Sequence, residues 1–182
     1  MKPTVIYVSG APGSGKTTLA NILAEQLYIH RISSDMIKGG LAYTDPNQDR
    51  NLTTGSVFVP ILIATATHGV SYVVDHVLQK ELAQETIIDK LLLVANVIYI
   101  HVQTKDPIAR YVERTNTSNV PDIIHRRNLL IERAVHHRNN LENTQSVIDL
   151  SIPTLIVNTD DGYEPSLTGI LSFIEQHRQN NQ

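Results

Sequence analysis

The chain has 182 residues, with 15 lysines and arginines against 18 aspartates and glutamates, for a formal net charge of −3. That length fits one domain spanning residues 1–182, and 41% hydrophobic residues suffice for a sizeable core rather than a disordered tail. The lack of cysteine excludes a disulfide framework and a thiolate zinc site, and the mildly acidic balance argues against a broad electrostatic coat on nucleic acid.

The elements are read in chain order. Met1–Lys2–Pro3 leads into an apolar run too short for a signal-peptide core, so the expectation is a soluble, cytoplasmic protein. Thr4–Ser9 (TVIYVS) is a continuous apolar run, as a strand buried on both faces requires. Leu19, Ile22, Leu23 and Leu27 then recur at helical spacing. Arg31–Ser33 reads as a short second strand, and the polar, turn-rich stretch Gly39–Asn51 as a flap. From Asn51 to Val74 no charged residue occurs, yet Thr53, Thr54, Ser56, Pro60, Thr65, Thr67 and His68 make the stretch too polar for a membrane span. A buried helix is predicted instead. Ser71–Asp75 (SYVVD) and Asn96–Val102 (NVIYIHV) are further doubly buried strands.

Asp106–Pro107 places a capping carboxylate before proline at the first helical position. The helix it opens is expected to give way to a polar turn over Thr115–Pro121 (TNTSNVP). Thr154–Asn158 (TLIVN) is the last strand, Glu164–Pro165 a weaker helix start, and Leu167, Ile170, Leu171 and Ile174 the apolar stripe of a final helix. Alternating strands and helices over the whole length predict one α/β domain with a parallel sheet and right-handed crossovers.

One segment carries a sharp chemical signal. Gly10-Ala11-Pro12-Gly13-Ser14-Gly15-Lys16-Thr17 matches G-x-x-x-x-G-K-[ST] at every fixed position, with Thr18 following. Glycines let the backbone wrap phosphate oxygens so that successive N–H groups form a concave anion site, and the next helix aims its positive end there. Lys16 would serve the β and γ phosphates, and the Thr17 hydroxyl would ligate Mg²⁺. The motif sits between a strand and a helix, the context its mechanism needs. ATP and Mg²⁺ are therefore the expected cofactors.

No N-K-x-D tetrad for guanine occurs, and Val73-Val74-Asp75-His76 ends its strand with one acid rather than an acidic pair. Both features favour a small phosphotransferase over a GTPase or an oligomeric motor. Asp35, just after the second strand, lies where a doubly wound sheet opens its ligand crevice, so it is a candidate base for an acceptor hydroxyl; it would also serve as a helix cap. Asp75 is the second candidate acid, for Mg²⁺ through water or for orienting Lys16 or the acceptor; His76 beside it reads mainly as structural. Six of the nine arginines (Arg110, Arg114, Arg126, Arg127, Arg133 and Arg138) fall within residues 110–138. This reads as a lid whose Arg110, Arg114 and Arg126 neutralise phosphate charge, with Arg133 and Arg138 on a solvated face.

Together these residues resemble the small P-loop kinases of the shikimate-kinase-like group, in the branch of phage polynucleotide 5′-kinase, zeta toxins and chloramphenicol phosphotransferase. The matching stations are GAPGSGKTT at 10–18, Asp35, G-x-x-Y-V-V-D at 69–75, and Asp106 to Arg114 with a one-residue shift from D-P-x-x-x-R-x-x-x-R. The resemblance implies a three-layer fold with sheet order 2-3-1-4-5, Asp35 as acceptor-activating base, Arg114 as the lid arginine, and Asn158-Thr159-Asp160 near adenine. The chain departs where several relatives carry an arginine after the third-strand acid; here stand Val77-Leu78-Gln79-Lys80.

The expected partner is a small hydroxyl-bearing acceptor, with no membrane. A nucleic-acid end is disfavoured because residues 35–57 offer Lys38 and Arg50 against Asp35, Asp45 and Asp49. A nucleotide-sugar acceptor and a non-transferring ATP-binding regulatory module are the alternatives. One chain leaves the oligomeric state and the acceptor's identity open.

Overall fold

The computed structural model describes residues 2–44, 50–79, 87–119, 127–132 and 146–179. In chain order the elements are β1 (Thr4–Ser9), α1 (Lys16–Leu27), β2 (His30–Ser33), α2 (Ser34–Thr44), α3 (Arg50–Thr67), β3 (Tyr72–Asp75), α4 (Asp89–Val94), β4 (Asn96–Gln103), α5 (Pro107–Thr117), β5 (Thr154–Asn158) and α6 (Leu167–Gln179). Residues 127–132 are also helical. The five strands form one parallel sheet in the order β2-β3-β1-β4-β5, as the resemblance implies.

Strand alternation divides the core cleanly. Val5 and Tyr7 of β1, with Tyr72, Val74 and Tyr99 of its neighbours, face α3 and α4 through Phe58, Leu62 and Leu91. Ile6 and Val8, with Val73, Ile98 and Ile100, face α1 and α6 through Leu19, Leu23, Ile170 and Ile174. Period-two alternation puts consecutive β1 residues into opposite layers, and both layers are covered. Each of the aliphatic side chains here, and Phe58, contributes about 1.5–3 kcal/mol by leaving water.

Four local expectations need correction. Helix α3, uncharged after Arg50, is not buried all round: Phe58, Leu62 and Ala66 alone are buried among the residues of α3 whose burial is described, one stripe at i, i+4, i+8. β5 is an edge strand and leaves Ile156 44% exposed, whereas β1 and β3 are buried throughout. Of the Gly39–Asn51 flap, Gly39 to Thr44 continue α2 and Arg50 and Asn51 already belong to α3, with residues 45–49 outside the described residues. Helix α5 runs through Thr117 rather than giving way at Thr115; there Thr115 and Thr117 satisfy their hydroxyls on the Tyr111 and Glu113 carbonyls at 2.8 and 2.9 Å, so these polar side chains are accommodated within the helix.

Helix starts follow their chemistry. Asp106 caps α5 by accepting from the Ala109 N–H at 2.9 Å, with Pro107 at the first turn. At the last helix, Ser166 is the capping residue, accepting from the Gly169 N–H at 3.3 Å. Glu164 is instead bonded through its backbone to Asn158 in both directions, which is why helix α6 starts at Leu167 and not at Pro165. Among the described residues no helix is long and apolar enough to cross a membrane.

Candidate active site at the phosphate-binding loop

The loop between β1 and α1 has the backbone its sequence demands. Gly10, Gly13 and Gly15 take φ values of 147°, 90° and 92°. A Cβ at Gly10 would strike the Val102 carbonyl, and one at Gly13 the Pro107 carbonyl at the start of α5. The loop is closed by one turn, Ser14 N–H to Ala11 O at 3.0 Å, and α1 begins at Lys16. Among the described residues the N–H groups of Gly13, Gly15, Lys16 and Thr17 find no acceptor within the protein, as the first turn of a helix leaves them. The Ser14 hydroxyl is also buried without a partner among the described residues.

Lys16 is 7% exposed. Burial lowers its pKa, Asp75 and then Asp35 act to raise it, and Arg114 and Lys38 push it down again. Four charged side chains from β3, α2 and α5 thus act through space on one ammonium. Asp35 stands in the first turn of α2, 75% exposed, with Lys38 at 3.9 Å one turn on. Arg114 is exposed on α5, its guanidinium 5.4 Å from the Tyr111 ring centre.

Asp75, at the end of β3, is 3% exposed. Its Oδ1 accepts from the Thr17 hydroxyl at 3.3 Å, and its Oδ2 from Arg31 Nη1 at 2.6 Å. A threonine hydroxyl beside a carboxylate is a set of hard oxygen donors, the kind Mg²⁺ takes when phosphates complete its shell. The pair therefore fits the metal expected at Thr17 and Asp75. Arg31 was absent from the candidate residues: a strand arginine has no local signature, and only the β2–β3 register (Arg31↔Val73, Ser33↔Asp75) brings it to the acid.

His76 borders the same crevice. Its Nδ1 lies 2.9 Å from the Ser34 hydroxyl, and its ring packs on Phe58 at 4.9 Å between centres. Burial first, then the nearby Lys38, lowers its pKa to about 4, so the ring is neutral at pH 7. The structural reading of His76 fits this packing, and its place beside Ser34 and Asp35 also puts it on the acceptor side.

The two arginines of α5 part company. Arg110 Nη1 donates to the Thr159 hydroxyl at 2.9 Å, and Nη2 to the Thr159 carbonyl at 2.8 Å and the Asp160 carbonyl at 3.4 Å. The Thr159 hydroxyl in turn donates to the Ser14 carbonyl at 2.8 Å. Arg110 is thus tied to the segment after β5, while Arg114, one turn on, is exposed and lies over Tyr111. Asp160 accepts from Thr104, Lys105 and Asn158, which holds its carboxyl down at about 2. Next to it a cavity of about 340 Å³ opens between Lys105, Asn158, Gly162 and Tyr163. Arg126, Arg133, Arg138 and Lys80, with Asp45 and Asp49 of the flap, lie outside the described residues.

With this geometry in place, known proteins can be compared. A kinase candidate from Chloroflexus aurantiacus J-10-fl superposes with a TM-score of 0.74 at 21% identity, covering 100% of both chains. A gluconokinase from Sinorhizobium meliloti 1021 gives 0.60 at 14% identity over 98% of this chain and 95% of its own. The Mycobacterium tuberculosis APS kinase CysC, solved with AMPPNP and APS, gives 0.58 at 12% identity over 96% and 98%. At these identities the likeness is one of fold. No curated protein matches the chain in sequence. Residues 5–130 match the AAA domain family, and so, with a sheet ordered 2-3-1-4-5 and kinases among its structural neighbours, the chain belongs to that family and has the fold of the small P-loop kinases.

Proposed function

We propose that the chain is an ATP-dependent phosphotransferase that moves the γ-phosphate of ATP to a hydroxyl of a small-molecule acceptor. The observation that carries this reading is the loop itself: positive-φ glycines, a buried Lys16, and Thr17 on the Asp75 carboxylate, with Asp35 in the first turn of α2. Asp35 is 75% exposed and so open to an acceptor. The gluconokinase and APS kinase neighbours lend support, since each is named for transfer to a small molecule.

In this reading the unpaired N–H groups of Gly13, Gly15, Lys16 and Thr17 hold the β and γ phosphates, with Gly10, Ala11, Pro12, Ser14 and Thr18 shaping the loop. Mg²⁺ would be held by Thr17 directly and by Asp75 through water, and it would neutralise charge on the phosphates when bound. Asp35 takes the proton of the acceptor hydroxyl as its oxygen bonds to the γ-phosphorus. The bond from that phosphorus to the bridging oxygen breaks, and ADP leaves with the electron pair. Lys16 and Arg114 balance the charge spread over the phosphoryl oxygens, with Arg126 assigned to the same lid. Arg110 frames the base side, where Asn158, Thr159 and the adjoining cavity would receive adenine. The arginine-bearing stretch 110–138 acts as the lid of a single domain, 1–182.

The test is transfer from γ-labelled ATP with Mg²⁺ into pooled small hydroxyl compounds and, separately, a 5′-hydroxyl oligonucleotide. Label in a small-molecule pool, lost in Asp35→Asn, supports the proposal. Label only on the oligonucleotide replaces the acceptor class. ATP binding with no transfer to any pool, unaffected by Asp35→Asn, leaves a nucleotide-sensing module.

A further inference from the structure

The Arg31–Asp75 pair does more than fill a gap in the core. Arg31 is the second residue of β2, the outer strand of the sheet, and lies level with Val73 of β3. Asp75 is two residues further along, so both project to the layer packed by α1. From there the arginine side chain reaches up the strand. Nη1 meets Asp75 Oδ2 at 2.6 Å, and Nη2 lies 3.2 Å from Met36 Sδ on α2. The cation is 17% exposed and the carboxylate 3%. The other carboxylate oxygen takes the Thr17 hydroxyl at 3.3 Å.

The result is a paired charge at the metal side of the site, where the Lys16 ammonium also acts on Asp75. A carboxylate buried beside a hydroxyl at the mouth of a phosphate loop would attract a divalent cation by itself. Here that charge is already cancelled by a guanidinium on the oxygen turned away from Thr17. Among the described residues no three His, Cys, Asp or Glu side chains gather to form a cation site elsewhere. A metal arriving at Thr17 meets one oxygen of a carboxylate without net charge to offer, a weak site for an ion reluctant to shed its waters.

We propose that Arg31 is a positioning residue that keeps bare Mg²⁺ off the loop. By holding Asp75 neutralised and turned, it makes metal binding depend on the negative charge that nucleotide phosphates bring. The metal then enters with the nucleotide, and Asp75 Oδ1 is left to orient Thr17 and a metal-bound water. This inference rests on Thr17 and Asp75 being the metal side of a nucleotide site, and its test measures metal binding without any transfer reaction.

Mn²⁺ serves as the probe, with free ion counted by electron paramagnetic resonance, in wild type, Arg31→Gln and Arg31→Lys. Wild type should bind Mn²⁺ poorly alone and much better with ADP present. Arg31→Gln should tighten binding of Mn²⁺ alone by about tenfold or more, the scale of one short-range charge interaction. Adding Asp75→Asn to Arg31→Gln should reverse that gain, and Arg31→Lys, which keeps the charge, should behave as wild type. A purely structural arginine would leave Mn²⁺ affinity unchanged in the folded variant, and that result overturns the proposal. Should Arg31→Gln fail to fold, wild type decides through its melting temperature. Stabilisation by Mg²⁺ only together with ADP supports the inference, and stabilisation by Mg²⁺ alone defeats it. Absence of phosphotransfer would refute the kinase reading and leave each of these outcomes readable.

Discussion

Arg110 offers the sharpest separation between a residue that works on phosphate and one that holds the site together. The perturbation is Arg110→Met, which keeps the apolar stem and removes the guanidinium. Three hydrogen bonds go with it, at 2.9 and 2.8 Å to Thr159 and 3.4 Å to Asp160. A bond from a charged donor contributes about 1.5–3 kcal/mol when well formed. Two good bonds on a half-buried side chain, discounted by about half for solvent screening, leave about 1.5–3 kcal/mol. For a chain of this size that lowers the melting temperature by about 3–12 °C. A double-mutant cycle with Thr159→Val should return a coupling of about 1 kcal/mol, since both side chains share one contact. Turnover at saturating ATP should change little, with the loss appearing in ATP affinity, because Thr159 also holds the Ser14 carbonyl. A melting temperature within about 1 °C of wild type, with turnover collapsed, would refute this reasoning and return Arg110 to the phosphates.

The other expectations divide by step. Lys16→Ala should reduce transfer by about a thousandfold or more in the labelled-ATP assay, since it removes a charge aimed at the migrating group; near-normal turnover would contradict the loop assignment. Asp35→Asn should leave ATP affinity within a few-fold by calorimetry while transfer falls by about a hundredfold to ten-thousandfold. Arg114→Ala should cut turnover by on the order of a thousandfold with a smaller effect on ATP binding, as loss of an arginine serving the transition state does. Phe58→Ala, at a position 2% exposed, should cost about 3–5 kcal/mol in a urea unfolding curve through the cavity it leaves.

How much of this was legible in the chain differs element by element. The runs at β1, β3 and β4 are continuous because both faces are covered, so their burial could be read directly. β5 has the same composition, but its half-exposed state comes from lying at the sheet edge, which no local pattern encodes. Likewise the stretch from Asn51 onward reads as buried because it lacks charge, although its Phe58, Leu62, Ala66 stripe marks one face. The phosphate loop was readable because its geometry is local. Arg31 was missed for the opposite reason: its partner lies 44 positions away, joined only by strand register. Arg110 and Arg114 share a helical spacing and a charge, yet one partners Thr159 and the other lies exposed over Tyr111. Sequence spacing gives a common face, and only the packing around it gives each side chain its own neighbour.

The carbonyl of Pro107 lies where a side chain at Gly13 would have to go. The loop that would cradle the nucleotide and the helix that bears Arg114 are therefore in backbone contact, with a single hydrogen atom between them. Position 13 answers to two masters: the anion that wants bare backbone on one side, and the helix that wants to sit flush on the other. Pressing α5 any closer would have to push the loop aside, so the helix sets a limit on how the cradle can lie. The selection on that glycine would persist in a descendant that had abandoned nucleotides altogether, provided it still kept its fifth helix in place.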